Sequence, residues 1–140
     1  MNHPSDLEIS TDRQRLDVDL IHRILSETYW AAGRSRDTVE RSIQHSLCFG
    51  AYRSGAQVAF GRVITDYAVF GYVADVFVVP ECRGQGIAKL LMDAISRHPD
   101  LEHLQVTLLR TRDAHGLYTQ FGFERVRYPE QMMGRWRHPS

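Results

Sequence analysis

The residues of this 140-residue chain that most directly suggest chemistry are two glycines, Gly84 and Gly86. An apolar stretch at residues 69–79 precedes them and stops at Pro80, and a helical pattern follows at residues 85–97. Glycines let a ligand approach the backbone closely, and the first turn of a helix leaves its N–H groups unpaired. Those donors, with the positive end of the helix dipole, suit a phosphate or a diphosphate.

The residues of this turn exclude two common phosphate-binding motifs. A Walker loop requires Lys and then Ser or Thr after its last glycine, whereas Ile87 and Ala88 follow Gly86. A dinucleotide fingerprint requires a third glycine where this chain has Lys89, and the next strand offers no clear acidic partner for a ribose. The remaining pattern is Arg-x-x-Gly-x-Ala, beginning at Arg83 directly after a strand.

A second motif lies downstream, where residues 111–123 read Thr-Arg-Asp-Ala-His-Gly-Leu-Tyr-Thr-Gln-Phe-Gly-Phe. Together the two motifs resemble the signatures of the GNAT superfamily, the acyl-CoA-dependent N-acyltransferases, with Thr111 at the position where Asn is usual. The resemblance covers roughly residues 47–126. It implies an α/β fold with a mixed, mostly antiparallel central sheet, flanked by four or so helices and splayed between its two central parallel strands.

The resemblance also implies acetyl-CoA as co-substrate, with its diphosphate on the glycine turn. The implied CoA contacts are Phe77, Val78, Val79, Arg83, Gly84, Gln85, Gly86, Ile87, Ala88, Thr111 and Ala114. A backbone N–H of Val76 or Phe77 is implied to meet the thioester carbonyl. Tyr118 is implied to lie beside the CoA sulfur as general acid, the alternative being an aromatic packed against its helix neighbours.

Asp75 is the one acid in an otherwise apolar strand. Burying an unpaired carboxylate is costly, so this group must either shift its pKa or find a partner. Either outcome would help to bind or deprotonate an amine, and we therefore expect Asp75 to act in catalysis. The alternative is a structural carboxylate that caps a bulge or pairs with Arg62.

The segment between the first two predicted helices is expected to overhang the acceptor pocket. It contains Tyr29, Trp30, Arg34 and Arg36, which would suit a substrate with an apolar body and an anionic group. A packed corner between helices would explain the two aromatics as well. Asp66, in the polar turn before the central strand, either faces the same pocket or satisfies turn amides.

Hydrophobic periodicity predicts the elements that position these residues. Helices are expected at residues 16–27, 36–45, 85–97 and 113–121. Strands are expected at residues 7–11, 47–52, 57–65, 69–79, 104–109, 123–127 and 132–136. Strands followed by alternating strands and helices predict a mixed α/β sheet in a single domain spanning residues 1–140.

Composition narrows the classes of function. Lys+Arg 17 balances Asp+Glu 17, so the chain offers no bulk attraction to nucleic acid or to an anionic membrane. The N-terminus is polar, and no apolar run approaches the roughly 18 residues of a membrane span, so we expect a cytoplasmic protein. Cys48 and Cys82 lie far apart without ligand spacing, so neither a metal site nor a disulfide is expected.

The sequence thus predicts an N-acetyltransferase that transfers an acetyl group from acetyl-CoA directly to a primary amine. A small-molecule amine is preferred because this compact, net-neutral chain shows no additional peptide-docking segment. The alternatives are acetylation of a protein lysine or N-terminus, and a non-catalytic acyl-CoA-binding regulatory module. The oligomeric state stays open, with a homodimer as one option.

Overall fold

The structure, a computed structural model, describes residues 6–137. The polar N-terminus, which contributed to the expectation of a cytoplasmic protein, therefore lies almost entirely outside the described residues. Between residues 6 and 137, no helix is long and apolar enough to cross a membrane.

The fold is built on a five-stranded sheet whose strands follow one another in chain order. The strands are β1 (Glu8–Ser10), β2 (Leu47–Arg53), β3 (Ala56–Thr65), β4 (Phe70–Val78) and β5 (Val106–Leu109). The first four pair antiparallel, and β4 pairs with β5 in parallel. The helices are α1 (Val18–Ser26), α2 (Arg36–Gln44), α3 (Ile87–Arg97) and α4 (His115–Thr119). The predicted mixed, mostly antiparallel α/β sheet with four helices is confirmed.

Three helices carry one apolar face each, and that face packs against the sheet or a neighbouring helix. In α3 the buried side chains are Ile87, Leu91, Met92 and Ile95, at the spacing of successive helical turns. They contact β2, β3 and β4, so α3 is fixed over the centre of the sheet. The start of this helix is therefore placed by its own core packing.

The two parallel strands separate before β4 ends. Their pairing runs from Phe70 opposite Val106 to Val73 opposite Leu109, and β4 then continues to Val78 without β5 beside it. The predicted splay between the parallel strands is confirmed, but β5 lies at the edge of the five-stranded sheet rather than at its centre. The splay leaves a gap beside β4 at Ala74 and beyond, next to the loop that follows β5.

A β-bulge interrupts β4 at the same level. Phe60 pairs with Phe77 and Arg62 with Ala74, so β4 uses one more residue than β3 between these pairs. Asp75 lies in this interval with φ at 56°, in the left-handed region that residues other than glycine seldom adopt. The bulge therefore determines the direction in which the side chain of Asp75 points. Asp75 is the acid that stood out in an otherwise apolar strand of the sequence.

The two C-terminal strands that we predicted at residues 123–127 and 132–136 are wrong. Neither segment forms a ladder with the sheet, and most of its residues are exposed. Gly122 and Tyr128 have φ of 87° and 55°, so the first segment is bracketed by left-handed backbone. Pro129 has no N–H to donate and begins a short 3-10 turn, Pro129–Gln131. Alternation of apolar and polar residues could not reveal these interruptions.

Candidate active site

A cavity of about 840 Å³ opens where β4 and β5 separate. Its walls come from the loop between α1 and α2, from β3 and β4, and from the segment between β5 and α4, with Trp136 from the C-terminal segment. The predicted site residues that line it are Tyr29, Trp30, Arg34, Asp75, Thr111, Ala114 and Tyr118. Residues drawn from three separate parts of the sequence are therefore brought to one place.

Asp75 is buried in this wall, with 7% of its surface exposed, and its carboxylate is fully engaged. Trp30 donates its indole N–H to Oδ1 at 2.9 Å, and Arg34 Nη1 donates to Oδ2 at 2.8 Å. Arg62 donates its Nε–H to Oδ2 at 2.7 Å. Two guanidinium groups offset the cost of burying this charge. The pairing with Arg62 that we gave as the structural alternative is observed, and a catalytic role for Asp75 remains a prediction.

The α1–α2 loop is also tied to the loop that follows β5. The hydroxyl of Tyr29 accepts a hydrogen bond from the backbone N–H of Arg112 at 3.1 Å. The Arg112 guanidinium lies 3.7 Å from the centre of the Tyr29 ring, a cation–π contact. Tyr29 in turn meets Trp30 edge to face, with 5.0 Å between ring centres. The aromatic residues are thus part of the cavity wall rather than only a corner between helices.

Tyr118 lies half-buried on α4, in the cavity wall. Its ring packs edge to face on Phe123, with centres 6.0 Å apart. Burial raises the pKa of its phenol above the ordinary value of 10.0, and nearby Tyr29 and Asp113 raise it further. The phenol is therefore protonated at neutral pH and able to donate a proton, as a general acid must.

The glycine turn has the geometry of an open anion cradle. Gly84 and Gly86 both have φ near +80°, and a Cβ added to either would meet no atom within 4 Å. Asp17 and Ser35 cap the N-termini of α1 and α2 with their side chains, but no side chain caps Gly86 at the start of α3. The N–H groups of the first turn of α3 are thus left for a ligand. These residues fit the CoA diphosphate.

Side chains hold this turn against the sheet. Arg83 donates its Nε–H to the carbonyl of Val78 at 3.1 Å, and Arg53 donates to Gln85 Oε1 at 3.0 Å. The side chain of Ile87 is buried in the core, so this residue can offer a diphosphate only its backbone. Because the glycine turn binds through its backbone and is held by these hydrogen bonds, it needs little reorganisation to bind a diphosphate.

The end of β4 leads into the turn with its large side chains in the core. Phe77 is buried and its ring centre lies 5.8 Å from that of Phe60. The N–H of Val79 already donates to Val58 at 2.9 Å. Any contact of Phe77, Val78 or Val79 with the acyl arm must therefore use backbone atoms on the side from which β5 has departed.

Thr111 occupies the position where the resembling motif has Asn, and its side chain is used locally. Its hydroxyl accepts a hydrogen bond from the N–H of Ala114 at 3.0 Å, just before α4 begins. Thr111 and Ala114 both line the cavity. The substitution therefore preserves a side-chain oxygen that orders the entry into α4.

Two residues that the sequence offered for acceptor binding do not line the cavity. Asp66 accepts hydrogen bonds from the N–H groups of Ala68, Val69 and Phe70 at 2.9, 2.9 and 3.1 Å, and these bonds lower its pKa below 3.8. This is the second of the two roles that we gave it, satisfaction of turn amides. Arg36 forms ion pairs with Asp19 and Glu40.

Sequence reasoning missed Arg110, Arg112 and Trp136, which also line the cavity. Arg110 and Arg112 flank Thr111 immediately after β5 ends at Leu109. Ligands commonly bind at the carboxyl ends of parallel strands, and that rule could have found both arginines. Trp136 carried no such signal, since its segment was assigned to a strand.

The structure thus combines a helix start left open for an anion, a gap between parallel strands and Tyr118 in a cavity wall, as the resemblance implied. Residues 13–139 match the Acetyltransferase (GNAT) domain, and the chain belongs to this family. It is 31% identical to a curated Gibberella zeae protein named provisionally as an acetyltransferase, over 92% of this chain and 85% of that protein.

Solved structures agree with this assignment. The chain is similar to a Xanthomonas campestris protein provisionally described as a GNAT-family acetyltransferase, with 51% identity, a TM-score of 0.91, and coverage of 97% and 94% of the two chains. It shares its fold with glucosamine-6-phosphate N-acetyltransferase from Arabidopsis thaliana, at 13% identity, a TM-score of 0.65, and coverage of 94% and 99%. The protein is therefore an acetyltransferase of the GNAT family.

Proposed function

We propose that this acetyltransferase transfers an acetyl group from acetyl-CoA directly to the primary amine of a small molecule. The observation that carries the proposal is continuity. The cavity that contains Tyr118 adjoins β4 beside the gap, and the chain then continues from β4 through the glycine turn to the uncapped start of α3. A cavity of about 840 Å³ is of the size that holds a small ligand.

Tyr118 is the proposed proton donor. Attack of a neutral amine on a thioester forms the carbon–nitrogen bond and breaks the carbon–sulfur bond. The amine nitrogen releases one proton to solvent water, and the departing thiolate requires one. The raised pKa of Tyr118 keeps its phenol protonated for this step. A backbone N–H of Val76 or Phe77, on the side of β4 that β5 has left, is the proposed donor to the carbonyl oxygen.

Asp75 has a different proposed role from that of a proton acceptor. Its carboxylate already accepts hydrogen bonds from Trp30, Arg34 and Arg62, so both of its oxygens are engaged with protein donors. We therefore assign it chiefly to positioning Trp30 and Arg34 in the acceptor wall. Direct binding of the acceptor ammonium is the alternative, and the kinetics of an Asp75→Asn variant separate the two.

The test is a screen of primary amines for release of free CoA, with acetylated product confirmed by mass spectrometry. We expect one group of small amines to be acetylated and peptides to be inactive. In Tyr118→Phe, turnover should fall by roughly ten- to ten-thousand-fold while CoA binding survives. Tyr128→Phe is the matched control, because Tyr128 is exposed and lies outside the cavity.

Two results would contradict the proposal. Acetyl-CoA binding without acetylation of any amine would indicate a non-catalytic acyl-CoA-binding module, and acetylation of peptides alone would indicate a protein substrate. The cytoplasmic location, the lack of nucleic-acid and membrane partners, and a homodimer as one oligomeric option stay predictions.

A further inference from the structure

The cavity contains more positive than negative groups, although the whole chain has a formal net charge of zero. Its walls include four arginines and two aspartates. The arginines are Arg34, Arg62, Arg110 and Arg112, and the aspartates are Asp75 and Asp113. A positive interior in a neutral protein attracts anions locally.

The contacts of these arginines show which of them are available to a ligand. Arg62 is committed to Asp75 and to the hydroxyl of Ser46, with 11% of its side chain exposed. Arg112 lies over the Tyr29 ring. Neither is free to turn toward a ligand without losing an existing contact.

Arg34 and Arg110 differ from the other two. Arg34 uses Nη1 for Asp75, and its side chain keeps 23% of its surface exposed. Within residues 6–137, its Nε and Nη2 have no hydrogen-bond partner, and the side chain of Arg110 forms no ion pair. These two guanidinium groups thus retain donors in a wall that also contains aromatic and apolar side chains.

We propose, building on the proposed function, that the acceptor amine carries an anionic group, a carboxylate or a phosphate, which Arg34 and Arg110 bind. A guanidinium offers paired N–H groups that match either anion. Trp30, Tyr72 and Ile64 in the same wall would contact the apolar part of the substrate. Asp75 fixes Arg34 through Nη1, so the remaining edge of this guanidinium is already oriented.

The competing explanation is that these arginines bind the phosphates of CoA. The glycine turn, which lies between the end of β4 and the start of α3, already offers uncapped N–H donors for the diphosphate. CoA affinity is therefore measured for every variant, and it separates the two explanations.

The first experiment compares amines in matched pairs: amino acids with their amides, and amino-sugar phosphates with their unphosphorylated sugars. We expect kcat/KM of the wild type to favour the anionic member by roughly ten- to hundredfold, the value of a charge-assisted hydrogen bond. Arg110→Gln and Arg34→Gln should remove most of that preference with CoA affinity unchanged. Arg97→Gln is the matched charge control, because Arg97 is an exposed arginine of α3 outside the cavity.

Equal kcat/KM for the anionic and neutral members in the wild type would overturn the inference. So would a loss of CoA affinity in Arg110→Gln with the acceptor preference intact. The amino-acid pairs test for a bound carboxylate and the amino-sugar pairs test for a bound phosphate, so the two sets together identify which anion is bound. If Arg34→Gln does not fold, Arg110→Gln decides the question by itself, since the Arg110 side chain has no ion pair to lose among the described residues.

A second experiment does not depend on acetyl transfer. Both tryptophans of the chain, Trp30 and Trp136, line the cavity, so their fluorescence reports binding there. Acetate and inorganic phosphate are titrated separately against the CoA-bound protein. A saturable change that weakens about tenfold in Arg110→Gln supports the anion site even if no amine is acetylated, and an identical response in that variant overturns it.

Discussion

The indole N–H of Trp30 donates to the carboxylate of Asp75 at 2.9 Å, although 45 residues separate the two in the sequence. This bond connects the α1–α2 loop to the bulge of β4. Because Asp75 also holds Arg34, one carboxylate orients both an aromatic and a basic side chain of the cavity wall. The shape of the acceptor side of the cavity thus depends on β4, the strand beside which the acyl arm of CoA is expected to lie.

Asp75→Asn should lower stability and acceptor affinity together. Removing the charge leaves Arg34 and Arg62 partly buried without their acid, a loss of about 3–5 kcal/mol of unfolding free energy. We expect the KM for the acceptor to rise, with CoA affinity unchanged in calorimetry. A pH–rate profile that loses its acidic limb would instead assign Asp75 to proton transfer.

A double-mutant cycle isolates the contact between Asp75 and Arg34. The variants Asp75→Asn and Arg34→Gln, alone and combined, should show a coupling energy of about 1–3 kcal/mol in chemical denaturation. The same cycle with Arg97→Gln in place of Arg34→Gln should show none, because Arg97 pairs with Asp93 on α3. Additive effects in both cycles would show that the contact between Asp75 and Arg34 contributes no stability.

Gly86→Val should weaken CoA binding at least tenfold in calorimetry. The added side chain would project where the structure is open, into the path of the diphosphate. It would also be strained, since φ at this position is +80°, and stability should fall by about 2 kcal/mol.

Gly33→Val separates strain from the loss of binding. Gly33 has φ of +81° with equally open surroundings, but it lies in the α1–α2 loop, away from α3. We expect a similar loss of stability with CoA affinity retained. Equal CoA affinity in wild type and Gly86→Val would remove the turn from the CoA site.

The alkaline limb of the pH–rate profile should lie above pH 10. A general acid works only while protonated, and burial raises the pKa of Tyr118 above 10.0. Turnover at saturating acceptor should therefore not fall between pH 7 and pH 9, and Tyr118→Phe should lack the decline at higher pH. An alkaline limb centred near pH 8 that disappears in Tyr118→Phe would contradict this assignment.

Stability should decline as pH rises from 9 toward 11 because of Cys48. Burial raises the pKa of this thiol from 9.0 to about 11, and nearby Arg13 and Arg62 offset the effect only in part. The thiol of the unfolded chain ionises at lower pH than the buried thiol. The contribution of Cys48 to the free energy of unfolding is therefore complete below pH 9. It is lost as the pH rises through the pKa of the folded state, by roughly 2–3 kcal/mol at most. Denaturant titrations of Cys48→Ala should show a flatter slope over this range, with Cys82→Ala, which also removes a buried thiol, as control.

Much of the fold could be predicted from local sequence. The glycine turn and α3 were predictable because Gly84, Gly86 and the apolar spacing of α3 act within one short segment. The same holds for the hairpin of β2 and β3. The positions of Arg83 and Tyr118 within two ordered motifs were enough to indicate the family.

The tertiary structure alone decided which residues share the cavity. Trp30, Arg34 and Arg62 converge on Asp75 through pairings 13–45 residues apart, which periodicity cannot encode. It also decided that residues 123–136 do not join the sheet, because left-handed backbone at Gly122 and Tyr128 and the missing N–H of Pro129 interrupt the alternating pattern. Neighbouring residues determine a local feature such as the glycine turn, whereas long-range packing determines which charged groups pair in the interior.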